Sequence, residues 1–241
     1  MRSPRHAVIA AAGVGSRLGL GIPKCLVEVR GRRIIDYLLD AVADIPCVRL
    51  VVGFRELEVM AHVRALRRDV LFVRNPAFLH TTTLQSLHLG VRGLNDPCLI
   101  LDGDTIYDRP SLRRLCDLSA DGAPTVGVST DITEDPVYAA VSERAGGVPG
   151  ELTITGFSRT EVSAYEWANI AVVSPTLLTD TPTHVFQRLS TGLPMRAAVV
   201  ERLEIDTEGD LRRAEAYLAR REAAGNDIAA ARNDAPIKIA S

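Results

Sequence analysis

Residues 6–19 read HAVIAAAGVGSRLG. His6–Ala12 is an unbroken apolar run of strand length that stops at Gly13, the pattern of a strand covered on both faces. From Gly13 to Pro23 the chain turns glycine-rich and polar, which makes it a loop. A buried strand that opens straight into such a loop is the first step of an α/β sheet, in which ligands collect at the carboxyl ends of the strands.

Working outward, Ile34, Ile35, Leu38, Leu39 and Val42 share one helical face and predict a helix of about Arg33–Ala43. Val48–Val52 reads as a second buried strand, Leu57–Leu66 as a helix and Val70–Val73 as a third strand. A polar loop, Asn75–Thr82, precedes a short helix near Leu84–Gly90. Cys98–Leu101 is a fourth strand and runs directly into Asp102-Gly103-Asp104. This alternation predicts a mostly parallel, doubly wound sheet, with the Gly13 loop and the Asp104 loop on the same edge. The second half differs. Thr125–Ser129, Val137–Ser142, Leu152–Phe157 and Trp167–Val173 are β-like and separated by turns such as Gly146-Gly147, and they predict an antiparallel lid over the site, about 125–175. Met195–Val200 is a last strand, Glu204-Ile205-Asp206 a loop, and Thr207-x-x-Asp210 a capping-box start for a helix carrying Leu211, Ala214 and Leu218. One domain is expected over 1–224, followed by a frayed tail, 225–241.

The 241 residues are 46% hydrophobic and 24% charged with a net charge of −2, which excludes a global basic field for nucleic acid or an anionic membrane. No apolar run approaches the ~20 residues of a membrane-spanning helix. Cys25, Cys47, Cys98 and Cys116 show no CxxC pairing and sit in or beside apolar runs, so they read as buried thiols in a cytoplasmic protein. The five histidines are scattered and read as structural or surface residues.

The loop residues Ala11, Ala12, Gly13, Gly15 and Ser16 suit a polyphosphate, because glycine lets backbone N–H groups close on phosphate oxygens. Arg17 adds a guanidinium fork and Lys24, after Pro23, a point charge. A plain tight turn with surface charges is the competing reading. GxxxxGK[ST] is absent, and Gly19 falls one residue late for GxGxxG. Asp102 and Asp104 lie two apart just past a strand, as do Glu204 and Asp206; paired carboxylates beside a phosphate loop suit Mg²⁺, although a polar turn also uses such residues.

Taken together, AAGVGSRLG…PKCLVEVRGRRIIDYLLDAV resembles the opening signature of the sugar-phosphate and alcohol-phosphate nucleotidyltransferases. LILDGDTIYD and LEIDTEGDLRRAEAYL resemble their two metal-binding segments. The resemblance covers about residues 7–218. It implies a glycosyltransferase-A-like fold and transfer of a nucleoside monophosphate from an NTP to an anionic acceptor, with pyrophosphate released. It assigns Arg17 and Lys24 to the phosphates as the catalytic cations, and Asp104 and Asp206 to Mg²⁺, with Asp102 and Glu204 as helpers.

Asn75-Pro76-Ala77-Phe78…Thr81-Thr82-Thr83-Leu84-Gln85-Ser86-Leu87 is similar to a segment of the phosphocholine and phosphonate cytidylyltransferases. It implies CTP as the donor, with Thr82, Gln85, Ser86 and Asp102 at the nucleotide. Thr82 stands where asparagine is usual in that family and Gln85 where an aromatic is usual; helix capping is the alternative role for the threonines. In the lid, Tyr138 and Trp167 beside Glu166 suit either an aminoalkyl cation or ordinary rim packing, and Arg159 suits an acceptor phosphate or phosphonate. UTP, dTTP or GTP with a sugar-1-phosphate is the rival donor–acceptor pair, and a non-catalytic nucleotide-binding regulator the rival class. A homodimer is compatible with this reading. No hexapeptide repeat follows the last helix, so a compact single-function enzyme is expected.

Overall fold

The computed structural model describes residues 4–15, 18–143 and 150–223. Ser16 and Arg17, the Gly146-Gly147 turn and the 225–241 tail lie outside the described residues. In chain order the elements are β1 (His6–Ala11), β2 (Glu28–Val29), β3 (Arg32–Arg33), α1 (Ile34–Ala41), β4 (Cys47–Val52), α2 (Glu56–Leu66), β5 (Leu71–Arg74), α3 (Thr83–Val91), β6 (Cys98–Asp102), β7 (Thr105–Tyr107), α4 (Arg109–Leu118), β8 (Thr125–Ser129), β9 (Tyr138–Glu143), β10 (Leu152–Ser158), β11 (Glu166–Val173), α5 (Val185–Ser190), β12 (Met195–Val199), β13 (Arg202–Glu204) and α6 (Glu208–Ala223).

A nine-stranded sheet in the order β5-β4-β1-β6-β11-β8-β12-β10-β9 forms the centre. Its first half, β5-β4-β1-β6, is parallel throughout, as the strand–helix alternation predicts. The sense changes at β11, which pairs antiparallel with both β6 and β8. The antiparallel strands expected after residue 125 therefore extend the same sheet, and β9 and β10 form its far edge.

Side chains alternate across the sheet and feed two cores. Ala7, Ile9 and Ala11 of β1 pack with α1, α2, α4 and α6 on one face; Val8 packs with α3 and α5 on the other. With both faces covered, β1 and β6 carry no polar alternation, and this is why they read as continuous apolar runs. The cysteine reading needs one correction: Cys25, Cys98 and Cys116 are buried, but Cys47 is exposed at the open start of β4. Among the described residues no helix is long and apolar enough to cross a membrane.

Two small ribbons shape the site. β2 pairs antiparallel with β3, and β7 pairs antiparallel with β13, with Thr105 opposite Glu204. Glu204, expected in a loop, thus closes a strand. The β7–β13 ribbon joins segments about a hundred residues apart and sets the second carboxylate pair beside the first; Ile205 N donates to Asp104 O at 3.1 Å. The capping box is present: Thr207 N donates to Asp210 Oδ2 at 2.7 Å and Asp210 N to Thr207 Oγ1 at 3.2 Å.

Candidate active site

Two adjoining cavities open at the carboxyl ends of β1 and β6. The smaller, ≈ 220 Å³, is lined by Ala10, Ala11, Gly13, Gly15, Lys24, Cys25, Thr83, Asp102, Gly103, Asp104 and Asp206. The larger, ≈ 490 Å³, shares Thr83, Asp102, Asp104 and Asp206 with it and extends past Thr82, Arg159, Glu166, Trp167, Asn169, His184, Phe186 and Glu204. The aspartates sit at the junction.

Local chemistry accounts for the smaller cavity. After Pro23 the chain makes a 3₁₀ turn, Lys24–Leu26, whose Cys25 and Leu26 are buried and anchor Lys24 at the rim. Gly15 has φ +64°, and a Cβ there would stand 3.1 Å from Lys24 Cβ, so the loop closes against the lysine stem only because it is glycine. At Gly103 a Cβ would stand 2.7 Å from Ala10 O; the residue lies flat on β1, and its N–H donates to that carbonyl at 2.9 Å. Asp102 and Asp104 flank this contact and line both cavities.

Lys24 Nζ donates to Asp104 Oδ2 at 2.7 Å and also to Asp206 Oδ1, so one ammonium bridges the two principal carboxylates. Burial alone would lower the lysine pKa, but Asp104 and Asp206 outweigh it and hold it above its ordinary value. Burial, then Asp104 and Glu204, pushes the Asp102 carboxyl well above the usual carboxylate range. Glu204 is pushed up to about 7, by burial first and then by Asp104, against the downward pull of Arg202. Around Asp102 three carboxylates, Asp104, Glu204 and Asp206, face one cation, Lys24, whereas around Glu204 two carboxylates are balanced by Arg202 and Lys24.

Among the described residues no three His, Cys, Asp or Glu side chains form a ready ligand cluster. The arrangement is instead an all-oxygen pair at a phosphate-sized cavity with an excess of negative charge. That fits a hard divalent cation such as Mg²⁺, which typically takes one or two carboxylates and completes its shell with water and substrate phosphates.

The remaining expected residues divide. Thr82 lines the larger cavity while its side chain caps α3: Gln85 N donates to Thr82 Oγ1 at 3.3 Å, and Thr82 N to Gln85 Oε1 at 3.1 Å. Gln85 Nε2 donates to Asp180 at 3.0 Å, and Gln85 lines neither cavity. Ser86 is buried and accepts from Asn75 Nδ2 at 3.0 Å, pinning the Asn75 loop to α3. Ala12 also lies behind the cavities, its carbonyl accepting from Phe54 N at 3.1 Å. Thr83, one residue into the helix, lines both cavities.

Arg159 lies in the larger cavity, 2.8 Å from Asp135 Oδ1 and over the Phe186 ring at 5.5 Å. Trp167 packs edge-on against Phe157 at 6.3 Å. Tyr138 stands opposite Glu166 in the β9–β11 register but is not among the lining residues. Glu166 lines the cavity with both oxygens engaged: Oε1 lies 2.8 Å from Arg202 Nη2 and accepts from Thr133 Oγ1, and Oε2 accepts from Thr133 N at 2.7 Å. A carboxylate so paired is no free anion for an aminoalkyl cation.

Sequence reading passed over Asn169 and took His184, with the other histidines, as a structural or surface residue. Asn169 occupies the left-handed region (φ 56°) where the β11–β8 register shifts, and this irregularity turns it to the cavity. His184 immediately precedes α5, is exposed, stacks on Phe186 at 5.6 Å and lines the rim of the larger cavity.

Residues 7–174 match the family model for the MobA-like NTP transferase domain. The chain is 33% identical over 174 residues to the bifunctional protein GlmU of Burkholderia thailandensis, covering 70% of this chain and 38% of that protein. It is 33% identical over 144 residues to the same-named protein of Burkholderia orbicola, covering 58% and 31%. The chain thus spans about a third of the length of these curated relatives. Among solved structures, the inositol-1-phosphate CTP transferase from T. maritima superposes with a TM-score of 0.71 at 18% identity, covering 92% of this chain and 98% of that one. A UDP-glucose pyrophosphorylase complexed with UDP-glucose superposes with 0.72 at 16% identity, covering 90% and 100%. These likenesses confirm the mixed α/β architecture, and the family match over residues 7–174 establishes that the chain belongs to the MobA-like NTP transferase domain family.

Proposed function

We propose that this protein transfers a nucleoside monophosphate from an NTP to a small phosphate or phosphonate acceptor and releases pyrophosphate, with CTP as the donor. One observation carries the reading: Lys24, Asp104 and Asp206, from three distant segments, meet where the two cavities join. The smaller cavity takes the triphosphate and the larger one the acceptor. The choice of CTP rests on the likeness of the Asn75–Leu87 segment to cytidylyltransferases.

An acceptor phosphate is already an anion near neutral pH, so no general base is needed to generate the nucleophile. The barrier is the approach of like charges and the alignment of the attack. Backbone N–H groups of the Gly13–Gly15 loop cradle phosphate oxygens, and Arg17 adds its fork. Lys24 has three donors, two of them engaged by carboxylates, which leaves one for a phosphate oxygen. Asp104 and Asp206 would hold a divalent cation, which when bound neutralises charge on the phosphates as a Lewis acid. Arg159 and Asn169 orient the acceptor.

A second reading has its own support: the relatives are named GlmU, and one structural neighbour was solved with UDP-glucose, which favours a sugar-1-phosphate acceptor and UTP. A pyrophosphate-release screen separates the two. CTP, UTP, dTTP, GTP and ATP are each tested with phosphocholine, aminoalkyl and alkyl phosphonates, inositol phosphate and sugar-1-phosphates. The first reading expects CTP with a phosphate or phosphonate acceptor to lead. Leadership by UTP with a sugar-1-phosphate transfers the assignment to the second. NTP binding by calorimetry with no turnover would leave a nucleotide-binding regulator.

A further inference from the structure

One buried guanidinium lies behind the acceptor cavity, and the proposed chemistry does not use it. Arg202 opens β13 with a side chain only 1% exposed. Its Nη2 lies 2.8 Å from Glu166 Oε1 and its Nη1 3.1 Å from Glu204 Oε2. Nη2 also reaches the Trp167 carbonyl at 3.4 Å. A single planar group therefore ties the start of β11, which forms the acceptor wall, to β13 and to Glu204 of the second carboxylate pair. Through Glu166 the tie extends to Thr133 on the next loop.

The arrangement goes beyond charge compensation. A counter-ion for Glu166 alone would need one donor, and an ammonium would serve. Arg202 spends its two terminal nitrogens on two different carboxylates from two different elements, which requires the fixed geometry of the guanidinium fork. The β11–β8 ladder is irregular between Trp167 and Ala171, so the sheet alone does not lock the wall where Asn169 faces the cavity. Tyr107 Oη donates to the Asn169 carbonyl at 2.9 Å and Trp167 N to Val137 O at 2.8 Å, and Arg202 adds the hold on Glu166 and the Trp167 carbonyl that secures the start of the wall.

We infer that Arg202 is a positioning residue that fixes the acceptor wall, Glu166 to Asn169, against the metal-side carboxylates. It touches no reacting atom, and its effect on turnover rests on the nucleotidyl-transfer reading above.

Trp167 makes a test possible without a known acceptor. It is the sole tryptophan of the chain, it lies in the wall, and it is 6% exposed. The experiment measures emission maximum and acrylamide quenching of native R202M, R202K and the R202M/E166Q double variant, with melting temperature alongside. The single R202M change strands a buried carboxylate and can fail to fold; the double variant removes that charge and keeps the test open. The expected result is a red-shifted, more quenchable Trp167 in the folded double variant and in R202K. Lysine restores the charge without the fork, so R202K regains melting temperature but not the wild-type emission. With any acceptor that turns over, its KM rises on the order of 10-fold in these variants, a larger change than in the KM for CTP. Wild-type emission and quenching in both folded variants overturn the inference, since a merely structural role moves only the melting temperature. A disturbed Trp167 in a protein that turns over no acceptor sinks the transfer reading and leaves the positioning role standing.

Discussion

An ammonium clasped by two carboxylates, with a glycine loop along its stem, has little freedom, and at Lys24 that constraint would serve the proposed transfer. Lys24→Ala and Asp104→Ala should each lower turnover by roughly 10²–10³-fold with the circular dichroism spectrum unchanged. Near-normal pyrophosphate release from either variant would contradict the assignment. These residues were legible because each follows a strand in a recognisable string. Thr82, Gln85 and Ser86 were less so, because one residue type serves two ends: threonine and glutamine suit a nucleotide, and they also cap a helix. The structure spends Gln85 and Ser86 on α3 and its loop, and Thr82 on the cap. Asn169 was invisible because its placement depends on a register shift rather than on its neighbours in sequence. The thiols give a separate check. Burial pushes Cys25, Cys98 and Cys116 up to about 12, whereas Cys47 is exposed. The folded protein should therefore give one fast-reacting thiol with Ellman's reagent at pH 8, and four after denaturation. Rapid labelling of more than one would mean that the 3₁₀ turn of Cys25, the strand of Cys98 or the helix of Cys116 opens.

At the scale of elements, the β6–β7 and β13–α6 segments assemble the carboxylates. Asp210 accepts from Thr207 N and from Asp206 N, at 2.7 and 3.1 Å, so the helix cap also orients a proposed metal ligand. Asp210→Ala should cost about 1 kcal/mol of stability, as the loss of a cap does, and should also raise the Mg²⁺ concentration needed for half-maximal turnover. A variant that loses stability with an unchanged Mg²⁺ requirement would confine Asp210 to capping. Gly103→Ala is a sharper probe. The new methyl would meet backbone at Ala10 O, which cannot swing aside, so a loss of about 1–3 kcal/mol is expected by thermal or urea unfolding. The strand–helix alternation of the first half was readable from periodicity alone. β7 and β13 were not, because each is only three residues long and pairs across a hundred residues of chain. α4 was overlooked although its start is marked by Asp108, which caps Ser111 N at 2.9 Å, with Pro110 in the first turn.

Across the whole molecule, one sheet does two jobs by changing sense at β11. The parallel half brings the Gly13 loop and the Asp104 loop to one edge, where the smaller cavity lies. The mixed half carries the wall of the larger cavity, and the β7–β13 ribbon closes the junction. Strand–helix alternation foretold a parallel sheet with the Gly13 and Asp104 loops on one edge; it did not foretell that the antiparallel strands would extend that same sheet, or that the wall would be braced from behind by Arg202. The smaller cavity is thus built from segments with strong local signatures, and the larger one from contacts that exist only after folding. The most direct test is pyrophosphate release with the five NTPs and the acceptor panel, run on wild-type protein and on Asp104→Ala, with Mg²⁺ and with excess EDTA. The account predicts release matched one-to-one by nucleotidylated acceptor in the wild type with Mg²⁺, and loss of most of it in EDTA or in Asp104→Ala. Release that persists in EDTA, or that is indifferent to Asp104, would contradict it.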